Sequence, residues 1–303
     1  MSTDPSTHRA ILELGGPVPQ EVCVASPIVL NVKLSCPCGC GLDSGQVRLV
    51  SGDMNIATCE ANRISFAAPA QLGAFTWVVV SPPQEISGVP HGEVSLPISF
   101  ATSPVGTSVA VWDVPSPVII GARCAVRVGA KSAADCVLEG ATIEIVDEAG
   151  TVVGSGRLGG TPWEGTCALY WTEVEVSAPA REGIASWRAR FPATDIRLPH
   201  TEAEARFSIA AVRPPECRLT MTFVDRETEE PIESAHIRLG PFRAVTDASG
   251  RAELSIPAGP YEVKVWHHAY ETPSTTVEVN GDLALQLHGV SIPEEDPNAR
   301  WMM

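Results

Sequence analysis

Five of the nine cysteines fall early in the chain, at Cys23, Cys36, Cys38, Cys40 and Cys59, and three of them form the run Cys36-Pro-Cys-Gly-Cys40. A deprotonated cysteine can hold a soft metal, exchange disulfides or be oxidised. Thiolates two residues apart can share one ion, and Cys36, Cys38, Cys40 and Cys59 together would supply the four sulfurs of a tetrahedral zinc or copper site. The Cys-x-Cys-x-Cys spacing is not the two-residue spacing of a zinc knuckle, so two other readings stand beside it. These are redox-sensitive surface thiols, and thiols buried as small apolar side chains. The cysteine count is odd and MSTDPSTHRAILELGG has no basic and apolar leader, so the expected setting is a reducing cytoplasm.

The remaining chemistry is sparse. Gly-x-Ser-x-Gly, Gly-x-x-x-x-Gly-Lys-Ser/Thr, His-Glu-x-x-His and EF-hand patterns do not occur. His267-His268 reads as a solvated loop pair. Trp163, Tyr170 and Trp171 could form a sugar-stacking platform, which gives a carbohydrate-binding module as one alternative. No nucleophile, base and oxyanion donor assemble from these motifs, so the expectation is a protein that is not an enzyme and needs no cofactor, unless the cysteines bind zinc or copper.

Composition sets the outer limits. Of 303 residues, 44% are hydrophobic and 19% charged, as in packed globular domains, and the formal net charge is −15. That charge opposes nucleic acid and anionic membranes, and no apolar run is long enough to span a bilayer. The expected partner is therefore another protein or a second copy of the chain.

The elements that must carry the cysteines are strands. Short alternating runs such as Thr76-Trp-Val-Val-Val80, Thr142-Ile-Glu-Ile-Val146, Glu173-Val-Glu-Val-Ser177 and Leu219-Thr-Met-Thr-Phe223 are bounded by Gly, Pro, Asp and Ser. An internal repeat orders them. Ser26-Pro-Ile-Val-Leu30 returns as Ser116-Pro-Val-Ile-Ile120, the Cys40–Val50 block as Cys136–Val146, and Thr58-Cys59 as Thr166-Cys167. The block ending at Trp77 returns as the block ending at Trp187, and His91–Phe100 as His200–Ile209. The pattern predicts two copies of one β domain, 9–104 and 107–212, after a tail 1–8, each the size of an immunoglobulin-like sandwich. Trp77, Trp187, Cys136 and Cys167 are expected in the structural core, and His91 and His200 at strand entries. Short Pro-containing linkers predict an elongated arrangement.

From 217 to 290 the pattern changes. Val224–Ile237, Val245-Thr-Asp-Ala-Ser-Gly250, Leu254-Ser-Ile-Pro-Ala-Gly-Pro-Tyr-Glu-Val263 and His268-Ala-Tyr270 resemble the carboxypeptidase regulatory-like, or transthyretin-like, β-sandwich family. The resemblance implies a third β-sandwich acting as an accessory or binding module. After it comes a tail, 291–303, whose Trp301, Met302 and Met303 could anchor in a partner's pocket. The fold class expected is all-β, three tandem β-sandwiches. The function expected is a non-catalytic scaffold or accessory subunit, with a soft-metal or redox protein as the alternative.

Overall fold

The computed structural model describes residues 8–292. The chain is all-β, and the strand pairing divides it into three sandwiches. The first contains Ile11–Leu14 (β1), Glu21–Cys23 (β2), Pro27–Ser35 (β3), Arg48–Ser51 (β4), Met54–Thr58 (β5), Arg63–Ala67 (β6), Gly73–Ser81 (β7), Gln84–Ile86 (β8), Val89–His91 (β9) and Val94–Ser103 (β10). A sheet β1-β3-β6 faces a sheet β2-β10-β7-β4-β5, and β8-β9 is a separate hairpin.

The second contains Thr107–Trp112 (β11), Val118–Ile119 (β12), Arg123–Ser132 (β13), Thr142–Val146 (β14), Val152–Arg157 (β15), Tyr170–Ser177 (β16), Gly183–Phe191 (β17) and Ala203–Val212 (β18). Its sheets run β11-β13-β16 and β12-β18-β17-β14-β15, the same order strand for strand. The third contains Cys217–Asp225 (β19), His236–Leu239 (β20), Phe242–Val245 (β21), Arg251–Ile256 (β22), Gly259–Trp266 (β23), Tyr270–Glu271 (β24), Thr275–Val279 (β25) and Leu283–Ser291 (β26). Here the sheets are β22-β19-β26-β24 and β21-β20-β23-β25.

Alternation explains why these segments are strands. In β3, Ile28, Leu30 and Val32 turn inward while Val29 and Asn31 face out, because successive side chains of an extended chain point to opposite faces. Each sandwich closes over its own cluster of buried side chains. Trp77 in β7 packs against Phe66, Phe75 and Phe100 with ring centroids 5.2–6.2 Å apart. Trp187 takes the matching place in β17, against Phe207 at 6.2 Å. Both tryptophans are core residues, 7% and 4% exposed.

Two core expectations need correction. Cys167 lies in the loop between β15 and β16 and is exposed, and Cys136 is only half-buried. The repeat match of Thr58-Cys59 to Thr166-Cys167 fails because Leu158 takes the place of Cys59: just past β5 and β15, Cys59 N–H donates to Val47 O at 2.8 Å and Leu158 N–H to Ala141 O at 2.9 Å, while Cys167 lies in the loop beyond.

In the third sandwich the Thr246-Asp-Ala-Ser-Gly250 segment is a tight turn. Asp247 Oδ1 accepts from the N–H groups of Ser249 and Arg251, both at 2.9 Å, and Gly250 has φ +71°, a conformation that favours glycine. The buried Thr246 hydroxyl donates to Ile232 O and accepts from Ala235 N–H, both at 2.8 Å, so no polar atom is stranded there.

Since each tryptophan belongs to one cluster, Trp77→Ala and Trp187→Ala should each cost about 3–5 kcal/mol in its own domain. Calorimetry of the two variants should show one melting transition depressed and the others unmoved; a shift of every transition would mean that the sandwiches unfold as one unit.

Candidate metal centre

The run Cys36-Pro-Cys-Gly-Cys40 begins where β3 ends. Its first four residues form a turn closed by Gly39 N–H to Cys36 O at 2.9 Å. Proline supplies the fixed φ of the second turn position, and Gly39 has φ +77°, which sends the chain back past its own start.

The four sulfurs named from the sequence do not meet. Cys38 faces solvent, and Cys59 sits in the core at 2% exposure beneath the first five-stranded sheet. A turn this tight cannot point three consecutive alternate side chains at one centre. Cys36 and Cys40 do converge, and two imidazoles join them: one donor atom from each of His8, Cys36, Cys40 and His91 lies within 4.8 Å of all the others.

Both histidines arrive by backbone pairing. His91 ends β9, whose hairpin turns through Ser87 (φ +53°) and Gly88 (φ +79°), the two positive-φ positions of a two-residue hairpin loop. His8 bridges His91 in parallel fashion and donates its N–H to Pro90 O at 3.1 Å. Its Nδ1 is 3.3 Å from Cys40 Sγ, and the two imidazole rings meet edge to face at 5.5 Å. Residue 8 is thus the last residue of the expected tail but a member of the site.

His91 carries the most informative detail. Its Nδ1 lies 3.1 Å from Val89 O, and a carbonyl only accepts, so the proton is on Nδ1. That leaves Nε2 as a bare lone pair on a side chain only 2% exposed, with no hydrogen-bond partner. Metal-binding histidines are oriented in this way, one nitrogen tied to a carbonyl and the other turned to the ion.

The thiols complement the imidazoles. Burial pushes the Cys36 thiol up, but the N–H groups of Cys38 and Cys40 and the Cys40 thiol outweigh it and bring Cys36 down to about 6. Cys40 is pushed up, first by burial and then by the neighbouring Cys36. Two thiolates and two neutral imidazoles around a divalent ion sum to zero charge, the state a buried pocket tolerates best. Tetrahedral zinc needs sulfur at ~2.3 Å and nitrogen at ~2.0 Å, so these donors have only to close inward by about 1 Å.

The second domain offers the same frame with other residues. Val105 replaces His8, with its N–H on Pro199 O at 2.8 Å and a parallel bridge to His200. Ser132 replaces Cys36, closing the same turn through Asp135 N–H to Ser132 O at 3.1 Å, and Cys136 replaces Cys40. His200 matches His91: its Nδ1 is 2.7 Å from Leu198 O, and its Nε2 is buried and unpartnered. Two of the four donors are gone, yet the fold is unchanged.

Other sequence candidates do not form sites. Tyr170 is a core residue on the opposite face of β16 from Trp171, so Trp163, Tyr170 and Trp171 share no platform. Trp112, Trp163 and Trp171 instead pack on one another, and the Arg127 guanidinium lies 5.7 and 5.8 Å from two of the rings, tethered to Asp113 and Glu173. The cage is filled by the protein's own cation, which corrects the sugar-platform expectation. His267 and His268 stack at 4.4 Å, and burial, followed by the nearness of a second imidazole, lowers the His267 pKa. Trp301, Met302 and Met303 lie outside the described residues. Among the described residues, no helix is long and apolar enough to cross a membrane.

No family model matches the chain, and no curated protein matches it. Among solved structures it is similar to the adhesin InvE of Yersinia pseudotuberculosis, with TM-score 0.29 and 14% identity over 78% of this chain and 67% of that one. It is also similar to the fibronectin(III)-like modules of Clostridium thermocellum CbhA, with TM-score 0.26 and 15% identity over 67% and 94%. A third is BcpA, the major pilin subunit of Bacillus cereus, with TM-score 0.25 and 10% identity over 81% and 94%. Likenesses at these TM-scores carry no argument, and the fold stands on the strand pairing itself.

In chelator-treated protein, thiolate absorbance followed against pH should reveal one group titrating near pH 6 that Cys36→Ser removes. Because the folded value lies below the ordinary 9.0, the first domain should gain stability as pH rises from about 6 to 9 and lose that contribution as pH falls through 6. Thiols that all titrate near 9 would show that the sulfur environment is wrong.

Proposed function

We propose that the chain is a non-catalytic scaffold or accessory module whose first β-sandwich is fastened by a structural zinc ion held by His8, Cys36, Cys40 and His91. The observation that carries this reading is the convergence of these four donor atoms within 4.8 Å of one another. Four protein ligands fill a tetrahedral shell and leave no position for water or substrate, which is the design of structural and not of catalytic zinc. An S₂N₂ set with two imidazoles suits zinc better than copper(I), which prefers sulfur alone.

The ion's physical task follows from where its ligands sit. It would join the segment before β1, the turn after β3 and the β8-β9 hairpin, which are far apart in sequence and meet at one end of the sandwich. Free energy of metal binding becomes folding free energy when the unfolded chain has no site. With free zinc at a thousand times its Kd, the gain is on the order of 4 kcal/mol. All nine cysteines are unpaired, which supports a reducing compartment such as a cytoplasm. We read the third sandwich as a carboxypeptidase regulatory-like accessory module, supported by the turn built on Thr246, Asp247 and Gly250.

Native mass spectrometry and elemental analysis of gently purified protein test the proposal. One zinc per chain is expected, lost on chelation and in Cys36→Ser or His91→Ala, but retained in Cys38→Ser and Cys59→Ala. Cobalt exchanged for zinc should give the intense visible bands of a tetrahedral S₂N₂ site. A protein that takes up no transition metal, or whose metal survives loss of Cys36 and His91, defeats the reading.

The repeat supplies a second test. Val105→His with Ser132→Cys restores the missing donors beside Cys136 and His200, and the double variant should bind two zinc ions where the parent binds one.

A further inference from the structure

The outer face of the third domain breaks a rule of sheet construction. Arg243, Arg238 and Lys264 lie directly opposite one another on the neighbouring strands β21, β20 and β23. Like charges in register across strands repel and cost stability, and sequences normally avoid them. The chain has 36 acidic residues against 21 basic ones, so three cations in one row are not a by-product of composition. Local pairing accounts for only part of the row. Lys264 reaches Glu262 at 3.0 Å, and Arg238 Nε donates to Gly240 O at 3.1 Å, while Arg243 has no carboxylate partner among the described residues.

Two positions along the same strands lies a second row, Val245, His236 and Trp266. Val245 is 52% and Trp266 65% exposed, and the Trp266 ring leans on His236 at 5.7 Å. Leaving a large aromatic ring in water is costly in a monomer, and exposed tryptophan and arginine are the side chains that carry binding energy at interfaces. Both rows line one shallow concavity of about 570 Å³. An apolar row and a cationic row side by side, separated by about 6.6 Å, match an extended chain in which acidic and apolar side chains alternate in position.

We propose that this face of the third domain binds an extended acidic segment of a partner protein, its carboxylates on Arg238, Arg243 and Lys264 and an apolar side chain on Trp266 and Val245. The remaining negative charge of the molecule disfavours the long polyanionic backbone of a nucleic acid, whereas a short acidic peptide need reach little beyond the cationic row and Glu262 beside it. The proposal is independent of the metal centre.

The probe is a fluorescein-labelled decapeptide alternating glutamate with leucine, titrated with full-length protein and read by anisotropy and by Trp266 emission. Binding should weaken as salt rises, fall more than about tenfold in Arg238→Glu/Arg243→Glu and in Trp266→Ala, and fail with a glutamine-for-glutamate peptide. Because the cationic row strains the sheet, Arg243→Thr should also raise the third domain's Tm by about 2 °C while weakening the peptide. No detectable binding, equal binding of the glutamine peptide, unchanged affinity in the variants, or tighter binding of labelled single-stranded DNA would each overturn the proposal.

Discussion

The structure depends on burying one face of each sandwich sheet against a second sheet. Among the described residues no helix contributes to the cores, so the period-two alternation of apolar residues has to carry each sandwich alone. It does so with the uneven pairing of a three-stranded and a five-stranded sheet in the first two domains and with two four-stranded sheets in the third. Once that burial fixes the register, the loops at each end have little freedom, and the side chains they present become as well placed as those of the strands.

The cysteine-histidine cluster is a product of that placement. None of its four residues lies inside a long strand. Cys36 and Cys40 flank a turn, His91 ends a short hairpin strand, and His8 is pinned by a single bridge. The second domain keeps the turn, the hairpin position and even the buried imidazole, while valine and serine occupy the other places. The two halves of the chain therefore separate what the fold requires from what the chemistry requires. The unsatisfied Nε2 of His200 is tolerated without four donors, so the backbone geometry around it belongs to the fold, and the residues peculiar to the first domain are the ones that add donor atoms.

Fold class, strand positions and the duplication were legible in the sequence because each rests on local alternation and on block-by-block similarity. The site was legible only in part. Cys36 and Cys40 stood out by spacing, but His8 sat in a stretch without pattern, and the match of His91 to His200 made both look purely structural. What separates the two copies is donor type: His8 and Cys36 in the first stand where the second has Val105 and Ser132. Cys59 misled because sequence proximity says nothing about which side of a sheet a residue faces. The cationic row of the third domain was invisible for a related reason, since Arg238, Arg243 and Lys264 are far apart in sequence until three strands come into register.

The junction between the first two domains has a mechanical consequence. Only Pro104, Val105 and Gly106 separate the end of β10 from the start of β11, and they do not form a slack loop. Val105 is 1% exposed and is held on both sides, by its N–H to Pro199 O and by Thr201 N–H to its carbonyl, while Gly106 O accepts from Ala133 N–H at 2.8 Å. Tension applied along the chain would find no coil to straighten there. It would load those hydrogen bonds at once, and the second domain would begin to yield at the edge where its neighbour is attached.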